Sequence, residues 1–236
     1  MVNKTLVMLV VAPLGTLPLH TPVQFIMDSA ANFAVLGGTS VKNTGDTSVH
    51  GGDVGTSHSE DITGFPPGIV MSPYATRMAD DIARQAHIDL TAAYKAIEGM
   101  TPTHDLSGQD LGGLTLLPGV YYFSAAAALN GTLTLNCQDR KKAQFVFQIG
   151  TTLTTGSHST VVSVNRDKGS EPRNFVIWQV GSSATLGADS TFEGTILATT
   201  NITIKNSASI QDGSALARHG AVTLDTNKIR SNPRAV

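Results

Sequence analysis

The chain has 236 residues, 41% of them hydrophobic but only 14% charged, with a formal net charge of −2. A typical globular chain is about 25% charged, so much of this surface must be neutral Thr, Ser, Gly, Ala and Asn. The absence of a basic block argues against nucleic acid or an anionic membrane as partner, and the single cysteine, Cys137, excludes an intrachain disulfide and a zinc site built on several thiolates.

The N-terminus, MVNKTLVMLVVAPLG, has one lysine followed by an apolar stretch from Leu6 to Leu14. It reads either as the h-region of a secretory signal or as a first buried strand; it is too short for a bilayer span, which needs about 20 residues. The expected organisation is an N-terminal segment over 1–30, one domain over 31–229 and a C-terminal tail over 230–236.

Residues 32–52, NFAVLGGTSVKNTGDTSVHGG, hold short apolar runs separated by Gly, Asn and Asp, the pattern of strands and tight turns. GGDV at 51–54 weakly resembles a calcium-binding repeat but does not recur. Ser57-His58-Ser59-Glu60-Asp61 is the densest polar patch, and it reads as a solvated loop before the turn ITGFPPG. From 72 to 100 the period changes. Met78, Ile82, Ala86, Leu90, Ala93, Tyr94 and Ile97 fall three or four apart, which predicts an amphipathic helix over about 73–98 with Pro73 in its first turn and Gly99 as its stop.

GVYYFSAAAALNGTLTLN (119–136) returns to strands, and four further segments follow in register. They are FVFQIGTTLTTGSHSTVVSV from Phe145, FVIWQVGSSATLGADSTFEG from Phe175, GTILATTNITIKNSASIQDG from Gly194 and SALARHGAVTLDTNKI from Ser214. Matched residues recur about every 18–20 positions, except where NRDKGSEPRN (165–174) inserts a charged loop. Three short strands per repeat of this length predict a β-solenoid with triangular coils. Alternation points Phe147, Ile149, Trp178, Val180, Ile196, Ala198 and Leu216 inward on the first face, and Leu153, Thr155, Ala184, Leu186, Ile202, Ile204, Val222 and Leu224 inward on the second. The apolar outward residues of the first face, Val146, Ile177, Leu197 and Ala217, are the expected seat of the helix. The second face is then left uncovered.

The outward residues of that second face are small and uncharged in every coil: Gly38 and Ser40, Ala126 and Ala128, Thr152 and Thr154, Ser183 and Thr185, Asn201 and Thr203, Ala221 and Thr223. Thr has high β-propensity and Thr–Thr pairs stabilise exposed sheets, which would account for some of this. An ordinary solvated face would also carry Lys, Glu or Arg, yet Lys205 and Asp225 stand only at strand ends. A wide neutral face marks a contact surface.

These stretches resemble the microbial ice-binding (antifreeze) protein family. The resemblance rests on NFAVLGGTSVKNTGDTSVHGGDVGTS, ITGFPPG, DLTAAY, LGGLTLLPGVYYFS, FVFQIGTTLTT, FVIWQVGSSATLG, FEGTILA and ALARHGAVTLD, and it covers most of residues 31–229. It implies a discontinuous right-handed β-solenoid with one long flanking helix, the N-terminal coil inserted out of chain order. It also implies that the flat, helix-free face binds ice. The corner motif Thr-Ala/Gly-x-Thr/Asn of some bacterial members is present at Thr44-Gly45-Asp46-Thr47, with Thr44, Gly45 and Thr47 as the matching residues. It is degraded at Ala188–Thr191 and Asn206–Ser209. The expected partner is an ice surface, met by a secreted monomer that carries no cofactor and no metal and catalyses nothing.

Other chemistries fit less well. A polysaccharide-cleaving solenoid needs clustered carboxylates, and the acids here are scattered. His158 and His219 read as lone surface histidines, Trp178 and Phe175 as core, and Cys137 as incidental. A cell-surface or matrix adhesin using the same flat face is the remaining alternative.

Overall fold

The computed structural model describes residues 27–167 and 175–232. The expectation for the Leu6–Leu14 stretch therefore lies outside the described residues. After a short 3-10 helix, Asp28–Asn32, come β1 (Phe33–Gly37), β2 (Val41–Thr44) and β3 (Ser48–His50), then β4 (Asp53–Thr56), β5 (Ile62–Thr63), β6 (Ile69–Val70) and β7 (Thr76–Met78). The helix α1 spans Asp81–Glu98. Then follow β8 (His104–Asp105), β9 (Thr115–Leu116), β10 (Gly119–Phe123), β11 (Ala127–Leu129), β12 (Thr132–Asn136), β13 (Gln144–Ile149), β14 (Leu153–Thr155) and β15 (Thr160–Val164). The last three coils are β16 (Phe175–Val180), β17 (Ala184–Leu186) and β18 (Thr191–Glu193), β19 (Thr195–Ala198), β20 (Ile202–Ile204) and β21 (Ser209–Gln211), and β22 (Ala215–Ala217), β23 (Val222–Asp225) and β24 (Lys228–Arg230).

The strands form three parallel sheets, in the order β7-β4-β1-β22-β19-β16-β13-β10-β8, β11-β14-β17-β20-β23-β2-β5 and β6-β3-β24-β21-β18-β15-β12-β9. Each complete coil gives one strand to each sheet, and the partial coils at the two ends of the stack contribute β7, β8 and β9. Among the described residues β1, β2 and β3 pair with β22, β23 and β24, so the N-terminal coil is stacked beside the C-terminal one, out of chain order. The stacking has a direct physical reason. Without it the apolar side chains of the last coil would end at an open edge, where unpaired strands are a liability. One side-chain link ties the two ends of the chain: Asn227 N–H donates to Thr47 Oγ1 at 2.9 Å.

The core is a column of side chains, one layer per coil. Tyr121, Phe147 and Trp178 follow one another from coil to coil, with ring centroids 5.4 and 3.8 Å apart; the exposed His104 stacks on Tyr121 at 5.0 Å, and Phe192, in the same coil as Trp178, lies 4.9 Å from it. Every residue expected inward on the second sheet is buried, Thr155 included. That threonine is satisfied in the core because its Oγ1 accepts the Gly187 N–H at 2.8 Å.

The helix packs on the first sheet as expected. Ala83, Ala86, Leu90, Ala93, Tyr94 and Ile97 share a buried cluster with Val120, Val146, Ile177, Leu197 and Leu216. Two details differ from the expectation. Leu216 points outward to the helix while Ala215 and Ala217 fill the core, because Leu216 lies opposite Leu197 in the ladder. The helix also starts at Asp81 rather than near Pro73. Thr76–Met78 pairs with Val54–Thr56 as β7, and Asp80 caps the first turn by accepting the Ala83 N–H at 2.8 Å. Met78 and Ile82, expected on the buried stripe, are consequently exposed. At the far end Gly99 is the C-cap, and Gln148 Nε2 donates to the Ile97 and Met100 carbonyls, closing orphan groups of the last turn.

Candidate functional surface

The second sheet sets the geometry of the flat face. Its ladders place Ala128, Thr154, Thr185, Thr203 and Thr223 directly opposite one another in five successive coils. Neighbouring strands are about 4.8 Å apart, so the row spans roughly 19 Å. Its four threonine side chains make no hydrogen bond within the described residues, which leaves hydroxyl and methyl facing solvent. The residue two positions earlier in each coil forms a second row: Ala126, Thr152, Ser183, Asn201 and Ala221. Some of these groups also tie coils together. Ser183 Oγ lies 2.7 Å from Thr200 Oγ1, and Asn201 Oδ1 accepts the Ala221 N–H at 2.9 Å. Under the outer row lie Leu153, Ala184, Leu186, Ile202, Ile204, Val222 and Leu224, all buried. A threonine with few χ1 choices on so filled a core is held stiffly.

The face ends differently from the sequence expectation. In the first coil the residue opposite Thr223 is Lys42, with Thr63 beyond it. Ser40, expected there, is buried in the neighbouring row, and Gly38 sits at the preceding corner, where a Cβ would collide with the Arg218 carbonyl. The cause is Asn43. It occupies an inward slot that leucine or isoleucine fills in the other coils except at Thr155, and its Nδ2 donates to the carbonyls of Gly45 at 2.9 Å and Gly64 at 2.8 Å. An inward asparagine hides the alternation, and the pairing slips by two residues when read from the sequence. Lys42 and Thr63 were missed for that reason. Lys42 also breaks the expected neutrality: its Nζ is 3.7 Å from Asp61 Oδ2.

The corner motif divides. Thr44 is exposed at the end of β2, and Gly45 turns the corner with φ of +73°. A Cβ on Gly45 would collide with Thr226 Oγ1. Thr47 is buried rather than presented. It belongs to an internal corner stack with Ser159, Ser190, Ala208 and Asn227, and His158, Asp189, Ser207 and Thr226 take the left-handed backbone conformation beside it.

The residues of the competing chemistries serve the scaffold. Asp53 of GGDV accepts from Ala75 N–H and Arg77 Nε, both at 2.9 Å. Glu193 is held by Arg166 Nη2 at 2.6 Å and Ser163 Oγ at 2.6 Å, and its carbonyl accepts Trp178 Nε1–H at 3.0 Å. Arg166 also reaches Asp212 at 3.0 Å, which anchors the start of the charged insertion; residues 168–174 lie outside the described residues. Trp178 is core, whereas Phe175 is half-buried on the outer side, because Val176 and not Phe175 pairs with Phe145. Cys137 is buried, and burial pushes its thiol pKa up, the opposite of an activated thiolate. The loop 57–61 is only partly solvated, since Ser57 is buried. His219 is not isolated. His58, His87 and His219 stack edge to face, with centroids 4.8 and 6.3 Å apart.

Comparison with known proteins points the same way as the surface. Residues 35–230 match the family model described as Ice-binding-like. The chain is 48% identical over 204 residues to an ice-binding protein of Nostoc sp. (strain HG1), covering 86% of this chain and 73% of the relative. It is 31% identical to an ice-binding protein of Flammulina populicola, covering 85% of this chain and 86% of that one. Among solved structures, an ice-binding protein from an Antarctic biological consortium superposes with a TM-score of 0.81 at 39% identity, over 93% of this chain and 95% of the other. One from the Antarctic ascomycete Antarctomyces psychrotrophicus gives 0.79 at 38% identity, over 86% and 96%.

Proposed function

Because the chain belongs to the Ice-binding-like family, we propose that it is an antifreeze protein that adsorbs to ice through the outward rows of its second sheet. The observation that carries this reading is the unbroken row from Ala128 through Thr154, Thr185 and Thr203 to Thr223, held in register by parallel ladders and free of charge. The contact residues are those five with Ala126, Thr152, Ser183, Asn201 and Ala221. The unit that acts is residues 31–229, working as a secreted monomer on an ice surface, with no nucleic acid, membrane, metal or cofactor involved and no reaction catalysed. The exposed Thr44 and Gly45 corner adds a smaller contact.

Adsorption needs no chemistry. Each hydroxyl gives about 1 kcal/mol net per hydrogen bond, so affinity must be summed over many contacts on a surface ordered before binding. The stacked core and the stiff threonines meet that requirement. Water held on the grid merges with the lattice, and growth is pinned between adsorbed molecules. The freezing point falls and recrystallisation is suppressed.

Thr185→Tyr and Thr203→Tyr place a ring above the plane without touching the core. Each should cut thermal hysteresis sharply while circular dichroism and thermal unfolding stay unchanged. Full hysteresis in both variants would show that another face binds ice. Family membership does not favour the adhesin alternative. Microscopy separates the two, since an adhesin would leave growing crystals unfaceted.

A further inference from the structure

We propose that Lys42 and Asp61 terminate the ice-binding surface and limit its activity, leaving two coils of the second sheet unused. This inference rests on the face assignment above. The sheet contains seven strands, yet only five of them carry the neutral row. In the sixth, β2, the row residue is Lys42, and in the seventh, β5, it is Thr63. Asp61 directly precedes β5 and points to the same side as Thr63, two residues away. The side chains of Lys42 and Asp61 are 58% and 45% exposed. So the backbone lattice extends over about 29 Å at the usual strand spacing, but the uncharged surface stops at about 19 Å.

Charge ends the surface for a physical reason. An ammonium and a carboxylate hold ordered hydration shells, and stripping them costs several kcal/mol per ion where no dense partner set replaces the water. Ice offers no counterion. A lattice plane advancing along the row must either dehydrate this pair or stand away from it. Standing away also strands Thr63, whose row position is correct. Nothing in the fold demands the pair: a 3.7 Å contact between exposed ions contributes at most about 1 kcal/mol. Asp61 also holds β2 through its backbone carbonyl, which accepts the Val41 N–H at 2.9 Å, and a side-chain replacement keeps that bond.

The test is the double variant Lys42→Thr/Asp61→Ser, compared with the unaltered protein for thermal hysteresis at equal molar concentration. Extending five ranks to seven should raise hysteresis by about 1.4-fold or more, since adsorption sums over contacts. Thr203→Lys gives the converse test. It divides the five-rank row into three and one, and hysteresis should fall to about 0.6-fold or less. Lys95→Thr on the exposed side of α1 controls for the loss of a surface lysine away from the row and should leave hysteresis unchanged. Unaltered or lower hysteresis in the folded double variant, or an equal gain from Lys95→Thr, overturns the proposal. If Thr185→Tyr still abolishes activity in that case, the face assignment stands without it. A harmless Thr185→Tyr would remove both.

Discussion

His87 is expected to weaken the fold in acid. It lies on α1 with only 9% of its surface exposed, facing His58 from the loop after β4 and His219 and Arg218 from the corner after β22. Burial, reinforced by those three neighbours, lowers its pKa from 6.5 to about 4. A histidine that ordinarily charges near 6.5 binds its proton in the unfolded chain first. Between about pH 6.5 and 4 the unfolded state therefore carries more protons, and stability falls as the pH falls. Above 6.5 the residue is neutral in both states and contributes no penalty. Below about 4 both states are protonated and the penalty levels off at about 3 kcal/mol. For a chain of this size that corresponds to roughly 6–12 °C in melting temperature. Carboxylates titrate over part of the same range, so the informative quantity is the difference between the unaltered protein and His87→Leu. Denaturant unfolding at pH 7 and pH 4 should show the variant losing less stability by about 3 kcal/mol. Parallel losses in the two proteins would refute the argument.

Two further substitutions probe the scaffold apart from the ice-binding rows. Leu90→Ala removes a fully buried side chain from the helix–sheet cluster; unfolding should show a cost of about 2–5 kcal/mol, with hysteresis retained in the cold where the protein stays folded. Asn227→Ala removes the side chain that donates to the Lys205 and Ala208 carbonyls at 2.8 and 3.0 Å and accepts the Asp225 N–H at 2.6 Å. Loss of these bonds should lower stability by about 3 kcal/mol, and hydrogen exchange should rise first at the junction of the last coil and the coil before it.

Local patterning determined the greater part of this protein. A repeat of apolar pairs cannot be buried by one coil alone, so stacking follows from the sequence, and a three-to-four-residue stripe on an otherwise strand-rich chain can only be a helix that needs an apolar seat. Thr154, Thr185, Thr203 and Thr223 were legible as one row because each stands between two inward residues that are themselves in register. The tertiary structure decided what local alternation cannot carry. Leu216 faces the helix because its ladder partner Leu197 does. The helix begins at Asp81 because Thr76–Met78 finds a parallel partner in Val54–Thr56, a contact between segments some twenty residues apart. His219 has His87 beside it only because α1 crosses the coils at that corner. Lys42, not Ser40, continues the row because the inward slot belongs to Asn43, a polar residue made acceptable by two carbonyls, one of them on the neighbouring coil. In each case a long-range partner selects among registers that are locally equivalent, and such partners exist only once the coils have stacked.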